Sequence, residues 1–136
     1  MIVVDSNIII YLHVQSEKTG LALELLKKDP NWVAPPLWES EFLNVMAGYI
    51  RRGILKLKEA KLVVSSALQT MEGREILPPS DLVLDLIAAS DCSAYDCEYV
   101  ALARHLNVKL VTSDQKILQN FPETAVDLRD SMRSFS

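Results

Sequence analysis

Two carboxylates follow short, largely apolar runs of the sequence. Asp5 ends the run 1–4, and Asp114 comes two residues after the run 108–112. Such runs are typical of buried strands in a parallel sheet. Binding sites in open parallel sheets lie beyond the carboxyl ends of the strands. We therefore expect Asp5 and Asp114 at one functional edge of a sheet.

A third carboxylate comes from a segment with helical spacing, 37–50. On a helical wheel, Glu41, Asn44 and Gly48 share a narrow strip beside the apolar face, whereas Glu39 falls at the opposite edge of that face. A carboxylate, an amide and a gap would then lie together, as in the wall of a pocket. Periodicity alone does not choose between Glu41 and Glu39.

Each acid also has a purely structural interpretation. Aspartate before a helix is a preferred N-cap, which would explain Asp5 and Asp114. Asp96 lies three residues after Ser93, which is the spacing of a capping box. Taken one at a time, these acids could stabilise helix starts and do no chemistry.

The elements that must position these acids alternate along the chain. We predict strands at 1–4, 32–34, 75–77, 108–112 and 125–128. We predict helices at 6–12, 17–28, 37–50, 54–71, 80–89 and 114–120, with a further helix beginning at Ser93. Alternation of this kind predicts an α/β fold around a mainly parallel sheet of four to five short strands.

Helical spacing also predicts details of two helices. Ser80 is the predicted N-cap of helix 80–89. The buried face of helix 54–71 is predicted to comprise Leu57, Ala60, Val64, Leu68 and Met71.

Length and composition narrow the class of protein. The 136 residues suit a single domain, and half of them are apolar. We expect a cytoplasmic protein, because the N-terminus lacks a signal-peptide pattern and no run approaches the roughly 18 apolar residues of a membrane span. Cys92 and Cys97 fit neither a CxxC redox pair nor a zinc ligand set, so reduced thiols are expected.

The net charge of −4 is unevenly distributed along the chain. Segment 51–61 holds five of the fourteen basic residues, whereas 75–103 holds six acids and no Lys or Arg. A basic patch beside an acidic pocket suits an enzyme that acts on a polyanion. Two solvated helix surfaces would produce the same pattern.

Four blocks of sequence together resemble the PIN domain family, and within it the VapC-like toxins of VapBC toxin–antitoxin pairs. The blocks are DSNIIIY at 5–11, PPLWESEFLNV at 35–45, SAYDCEYVALA at 93–103 and LVTSD at 110–114. The resemblance implies a three-layer α/β/α domain over 1–136. It maps the family's acidic quartet onto Asp5, Glu41, Asp96 and Asp114. The match to E-x-x-N selects Glu41, followed by Asn44, over Glu39.

The resemblance also implies the chemistry. Four carboxylates without His or Cys favour Mg²⁺ or Mn²⁺, and the implied activity is an endoribonuclease that hydrolyses RNA with metal-activated water. Asp5, Asp96 and Asp114 would be the principal metal ligands, and Glu41 a ligand or a base. Ser6, Asn44 and Thr112 would support these acids. The candidate RNA-binding residues are Arg51, Arg52, Lys56 and Lys61.

The implied partners are RNA, a VapB-like antitoxin and a second copy of the chain. An acidic pocket is best blocked by an Arg or Lys from an antitoxin tail, helped by apolar contact along a helical groove. Three alternatives stay open: a PIN-like module without activity, a free-standing nuclease of RNA processing, and metal-free acid–base cleavage by His13 and His105.

Overall fold

The computed structural model describes residues 1–134. The strands are β1 (Ile2–Val4), β2 (Trp32–Val33), β3 (Leu110–Thr112) and β4 (Ala125–Asp127). The helices are α1 (Ser6–His13), α2 (Thr19–Lys28), α3 (Leu37–Arg51), α4 (Leu57–Met71), α5 (Ser80–Ala88), α6 (Ala94–Leu106), α7 (Gln115–Asn120) and α8 (Leu128–Ser134). None of the helices described over 1–134 is both long and apolar enough to cross a bilayer.

The sheet is parallel throughout, with strand order β2-β1-β3-β4. Helices cover both of its faces, which confirms the predicted three-layer α/β/α architecture. In the register, Val4 lies beside Val111, and Thr112 lies beside Asp127. The carboxyl ends of β1 and β3 therefore adjoin, and the chain leaves them at Asp5 and Asp114.

All five predicted strands are longer than the observed ones, and segment 75–77 is not a strand. Segment 75–77 forms a single parallel bridge, between Glu75 and Ala34, because Pro35-Pro36 and Pro78-Pro79 follow and remove backbone donors. Strand β4 ends at Asp127, and the chain continues as α8. The prediction that Ser80 is an N-cap is also wrong, since Pro79 holds that position and makes no side-chain cap.

Helix α4 buries less of its surface than predicted. Ala60 and Met71 are buried, but Leu57 is 58% exposed and Leu68 is 39% exposed. These leucines line an apolar groove of about 450 Å³ between α3 and α4, and α3 contributes Leu43, Met46, Ala47 and Ile50. The predicted face thus belongs partly to a surface groove and only partly to the core.

Candidate functional site

Asp5 leaves the end of β1 as a buried carboxylate, 7% exposed. Its Oδ1 accepts hydrogen bonds from the Ser6 amide at 2.7 Å and the Ser6 hydroxyl at 3.4 Å. Its Oδ2 accepts one from the Thr112 hydroxyl at 2.7 Å. Asp5 therefore caps α1, as its structural interpretation predicted, and is also held from β3.

Asp114 is tied to Asp5 through Thr112. The Asp114 amide donates to the Thr112 hydroxyl oxygen at 3.0 Å, while that hydroxyl donates to Asp5. The Oδ1 atom of Asp114 caps α7 by accepting from the amides of Lys116 and Ile117 at 2.9 and 3.1 Å. Asp114 therefore caps α7 and also belongs to the group of acids.

Asp96 lies in the first turn of α6. Its amide donates to the Ser93 hydroxyl oxygen at 3.1 Å, so Ser93 caps this helix. Burial raises the pKa of Asp96, the charge of Asp114 raises it further, and hydrogen bonds with Ser93 partly lower it. Asp96 and Asp114 therefore interact electrostatically in the folded protein.

Glu41 projects from α3 and is held by a tyrosine of α6. The Tyr99 hydroxyl donates to Oε1 of Glu41 at 2.6 Å, and Tyr99 is 1% exposed. Burial raises the pKa of Tyr99 above its usual value, and the charges of Asp5 and Glu41 raise it further. Tyr99 therefore stays protonated and donates its hydrogen.

Burial and neighbouring charges together raise the pKa of Asp5. Burial, the largest influence, together with the charges of Glu41 and Asp96, raises the pKa of Asp5 to about 7. Hydrogen bonds from Thr112 and Ser6 oppose the rise. In the absence of a cation, repulsion and desolvation therefore keep Asp5 partly protonated near neutral pH.

A cavity of about 690 Å³ opens beside Glu41. Its lining combines site residues with apolar neighbours: Ser6, Leu37, Ser40, Glu41, Asn44, Val45 and Tyr95. The ring of Tyr95, next to Asp96 in the chain, is 60% exposed. The structure therefore places Glu41, Asn44 and Ser6 on one cavity wall, while Glu39 does not line it.

The donor chemistry of the set fits a hard divalent cation, since every charged group is a carboxylate. Within residues 1–134, no three His, Cys, Asp or Glu side chains stand close enough to hold an ion as they are. Mg²⁺ commonly binds one or two carboxylates directly and keeps several waters. An ion bound here would therefore need water for part of its coordination.

The candidate RNA-binding residues lie away from the cavity. Arg51 is ten residues beyond Glu41 on α3, about 15 Å along the helix axis at 1.5 Å per residue. Arg52 stacks over the Tyr49 ring at 5.6 Å, and Lys61 lines the α3–α4 groove. Arg51, Arg52, Lys56 and Lys61 are all exposed, and none forms a salt bridge within the described chain.

Sequence reasoning missed three residues near the acids. Tyr99 fits the apolar spacing of its helix, although a buried phenol needs a polar partner. Glu98 lies close enough to Glu41 for that charge to raise its pKa, after the larger effect of burial. The charge of Lys116 is one of the weaker influences that lower the pKa of Asp96. The spacing of Tyr99, one turn after Asp96, was the available signal for the first of these.

A family model described as PIN domain matches residues 2–124. The chain belongs to the PIN domain family. The resemblance carried by the four sequence blocks is thereby confirmed. In this PIN domain, Asp5, Glu41, Asp96 and Asp114 occupy the carboxyl edge of the sheet and the adjoining helices α3 and α6.

Relatives of this PIN domain include a protein named Ribonuclease VapC3, from Pyrobaculum aerophilum. The two are 26% identical over 124 residues, which cover 89% of this chain and 95% of the relative. The crystal structure of PAE2754 from the same organism matches with a TM-score of 0.78 at 21% identity, over 98% of this chain and 95% of that one. FitAcB from Neisseria gonorrhoeae matches with a TM-score of 0.73 at 15% identity, over 95% of this chain and 99% of that one. These structural matches show a shared fold.

Proposed function

We propose that this PIN domain is a metal-dependent endoribonuclease and the toxin component of a VapBC-type toxin–antitoxin pair. The observation that carries the proposal is the set of interacting carboxylates, Asp5, Glu41, Asp96 and Asp114, of which Glu41 lines an open cavity. Similarity to a relative named as a ribonuclease supports the choice of RNA as substrate.

Asp5, Asp96 and Asp114, with Glu41, would hold the Mg²⁺ or Mn²⁺ ion, directly or through water. When bound, such an ion neutralises charge at the scissile phosphate and lowers the pKa of nearby water. Thr112 and Ser6 fix the orientation of the Asp5 carboxylate by their hydrogen bonds. The hydrogen-bond donors that orient Asp5 therefore come from β3 and α1, which are regular elements of the fold.

Glu41 would accept the proton of the attacking water, because it is the carboxylate of the set that lines the cavity. Attack at phosphorus with departure of the 3′ oxygen leaves a 5′-phosphate and a 3′-hydroxyl.

Asn44, exposed on the same wall, would donate its amide to the RNA. Arg51, Arg52, Lys56 and Lys61 would contact phosphates some nucleotides away from the cut.

The antitoxin would dock in the α3–α4 groove and reach the acids with an Arg or Lys. The groove is lined mainly by apolar side chains, and α3 carries both its wall and Glu41. An amphipathic helix in the groove would leave its tail near the carboxylates. A second copy of the chain would pack elsewhere; Leu77 and Leu84, 74% and 62% exposed, are apolar side chains available to it.

Leu57→Glu should weaken inhibition by a cognate VapB-like antitoxin at least tenfold, because it buries a charge in the groove. The RNA cleavage rate without antitoxin should stay unchanged. Leu62→Glu is the matched control, since Leu62 is 66% exposed on the same helix and does not line the groove. Equal inhibition of the two variants would place the antitoxin on another surface.

Cleavage of single-stranded RNA by the unaltered protein should require added Mg²⁺ or Mn²⁺ and stop with EDTA, because repulsion in the set needs a cation to offset it. The assay follows a labelled RNA on a gel and identifies the product ends. Restoring Mn²⁺ after chelation should restore cleavage. Undiminished cleavage after exhaustive chelation would overturn the metal-dependent mechanism.

A further inference from the structure

Tyr99 joins α3, which carries Glu41, to α6, which carries Asp96. Its hydroxyl donates to Oε1 of Glu41 at 2.6 Å, across 58 positions of sequence. No other side-chain hydrogen bond joins α3 to α6 within residues 1–134. The contact therefore fixes the Glu41 carboxylate relative to the helix of Asp96.

The two partners differ in how firmly each is held. The Tyr99 ring is 1% exposed in the core, so packing leaves its two side-chain torsions no freedom. Glu41 is partly exposed and has three side-chain torsions, so without a partner it would gain entropy by moving into solvent. The rigid phenol thus selects one position for a flexible carboxylate.

Tyr99 follows Asp96 by three residues, so both lie on one face of α6. The same turn of α6 therefore carries the Asp96 carboxylate and the phenol that holds the Glu41 carboxylate of α3. We propose that Tyr99 is a positioning residue, which holds Oε1 of Glu41 so that its other oxygen, Oε2, serves the proposed cation site. The functional part of this inference rests on the proposed nuclease function.

The first test needs no activity. Tyr99→Phe keeps the ring and removes the donor. Tyr11→Phe is the matched control, because within residues 1–134 the Tyr11 hydroxyl has a single hydrogen bond, from Lys18 at 3.5 Å. Metal-free crystal structures should show Glu41 in its original place in Tyr11→Phe and moved toward solvent in Tyr99→Phe. A Glu41 carboxylate that keeps its place in Tyr99→Phe would overturn the proposal, whatever the protein's function.

The second test follows Mn²⁺ through melting temperature and RNA cleavage. In Tyr99→Phe, the Mn²⁺ concentration that gives half of the melting shift should rise about tenfold, and kcat should fall about 10- to 100-fold. KM for RNA should stay within twofold, and Tyr11→Phe should match the unaltered protein. An unchanged Mn²⁺ midpoint in Tyr99→Phe would contradict the role assigned to Tyr99.

A double-mutant cycle separates positioning from packing. If Tyr99 acts through Glu41, adding Tyr99→Phe to Glu41→Ala should leave the Mn²⁺ midpoint of the single Glu41→Ala variant unchanged. A further shift in that background would show that Tyr99 acts through packing and would overturn the proposal. Failure of the unaltered protein to cleave RNA would reject the nuclease function, while the displaced Glu41 would still support positioning.

Discussion

Without divalent cations, Asp5→Asn should melt about 10 °C higher than the unaltered protein near pH 8, and at nearly the same temperature near pH 4. Burial, with the charges of Glu41 and Asp96, raises the pKa of Asp5 from 3.8 to about 7 in the folded protein. The folded state therefore binds a proton more tightly than the unfolded state. Asparagine removes the ionisation and keeps nearly the same shape.

The sign follows from proton linkage. Between pH 4 and pH 7 the folded protein holds the Asp5 proton and the unfolded chain has lost it, so the free energy of unfolding falls as pH rises. The pKa values of Asp5 in the folded and unfolded states differ by about three, which corresponds to about 4 kcal/mol at 1.36 kcal/mol per pKa unit. For a chain of this length, that is a melting shift on the order of 10 °C. Below about pH 4 both states are protonated, and the effect vanishes.

Melting curves of both proteins in EDTA across this pH range measure the difference. Asp85→Asn is the control, since Asp85 is exposed on α5, and it should keep the pH dependence of the unaltered protein. Added Mn²⁺ near pH 8 should stabilise the unaltered protein by mass action and Asp5→Asn much less. An Asp5→Asn variant that melts lower than the unaltered protein near pH 8 in EDTA would show that Asp5 mainly caps α1.

The strand ends were the most predictable part of the site. Apolar runs before Asp5 and Asp114 predicted their adjacent positions at the sheet edge, because parallel strands end on the same side. The hydroxyl of Thr112 between them followed from the family resemblance, and the structure gives it a physical role, since it donates to one acid and accepts from the amide of the other. The apolar runs and the general rule for parallel sheets were sufficient to predict where Asp5 and Asp114 lie.

The contacts between helices could not be predicted from periodicity. Tyr99 fits an apolar face, and nothing in its own helix reveals that Glu41, 58 residues away, faces its hydroxyl. Leu57 and Leu68 fit a buried face equally well, yet no further element of residues 1–134 covers them. Helix α8 was missed because the apolar signal of β4 runs into Leu128, which is buried at the start of the helix.

The choice between two glutamates of α3 illustrates the same limit. Helical spacing left Glu39 and Glu41 open, and only the resemblance selected Glu41. In the structure Glu41 lines the cavity and accepts the Tyr99 hydroxyl, whereas Glu39 does neither. Glutamine is nearly the same shape as glutamate, and its amide oxygen can still accept from Tyr99. Glu41→Gln therefore removes a charge and a base while leaving the fold intact.

The Mn²⁺-dependent cleavage rates of Glu41→Gln, Glu39→Gln and the unaltered protein show whether these carboxylates hydrolyse RNA. Loss of a general base costs about 10²- to 10⁴-fold in rate. We predict a loss of that size for Glu41→Gln and a rate within twofold for Glu39→Gln, with similar melting temperatures for both variants. Cleavage that survives Glu41→Gln, or that is lost instead in Glu39→Gln, would show that Glu41 is not the base of the reaction.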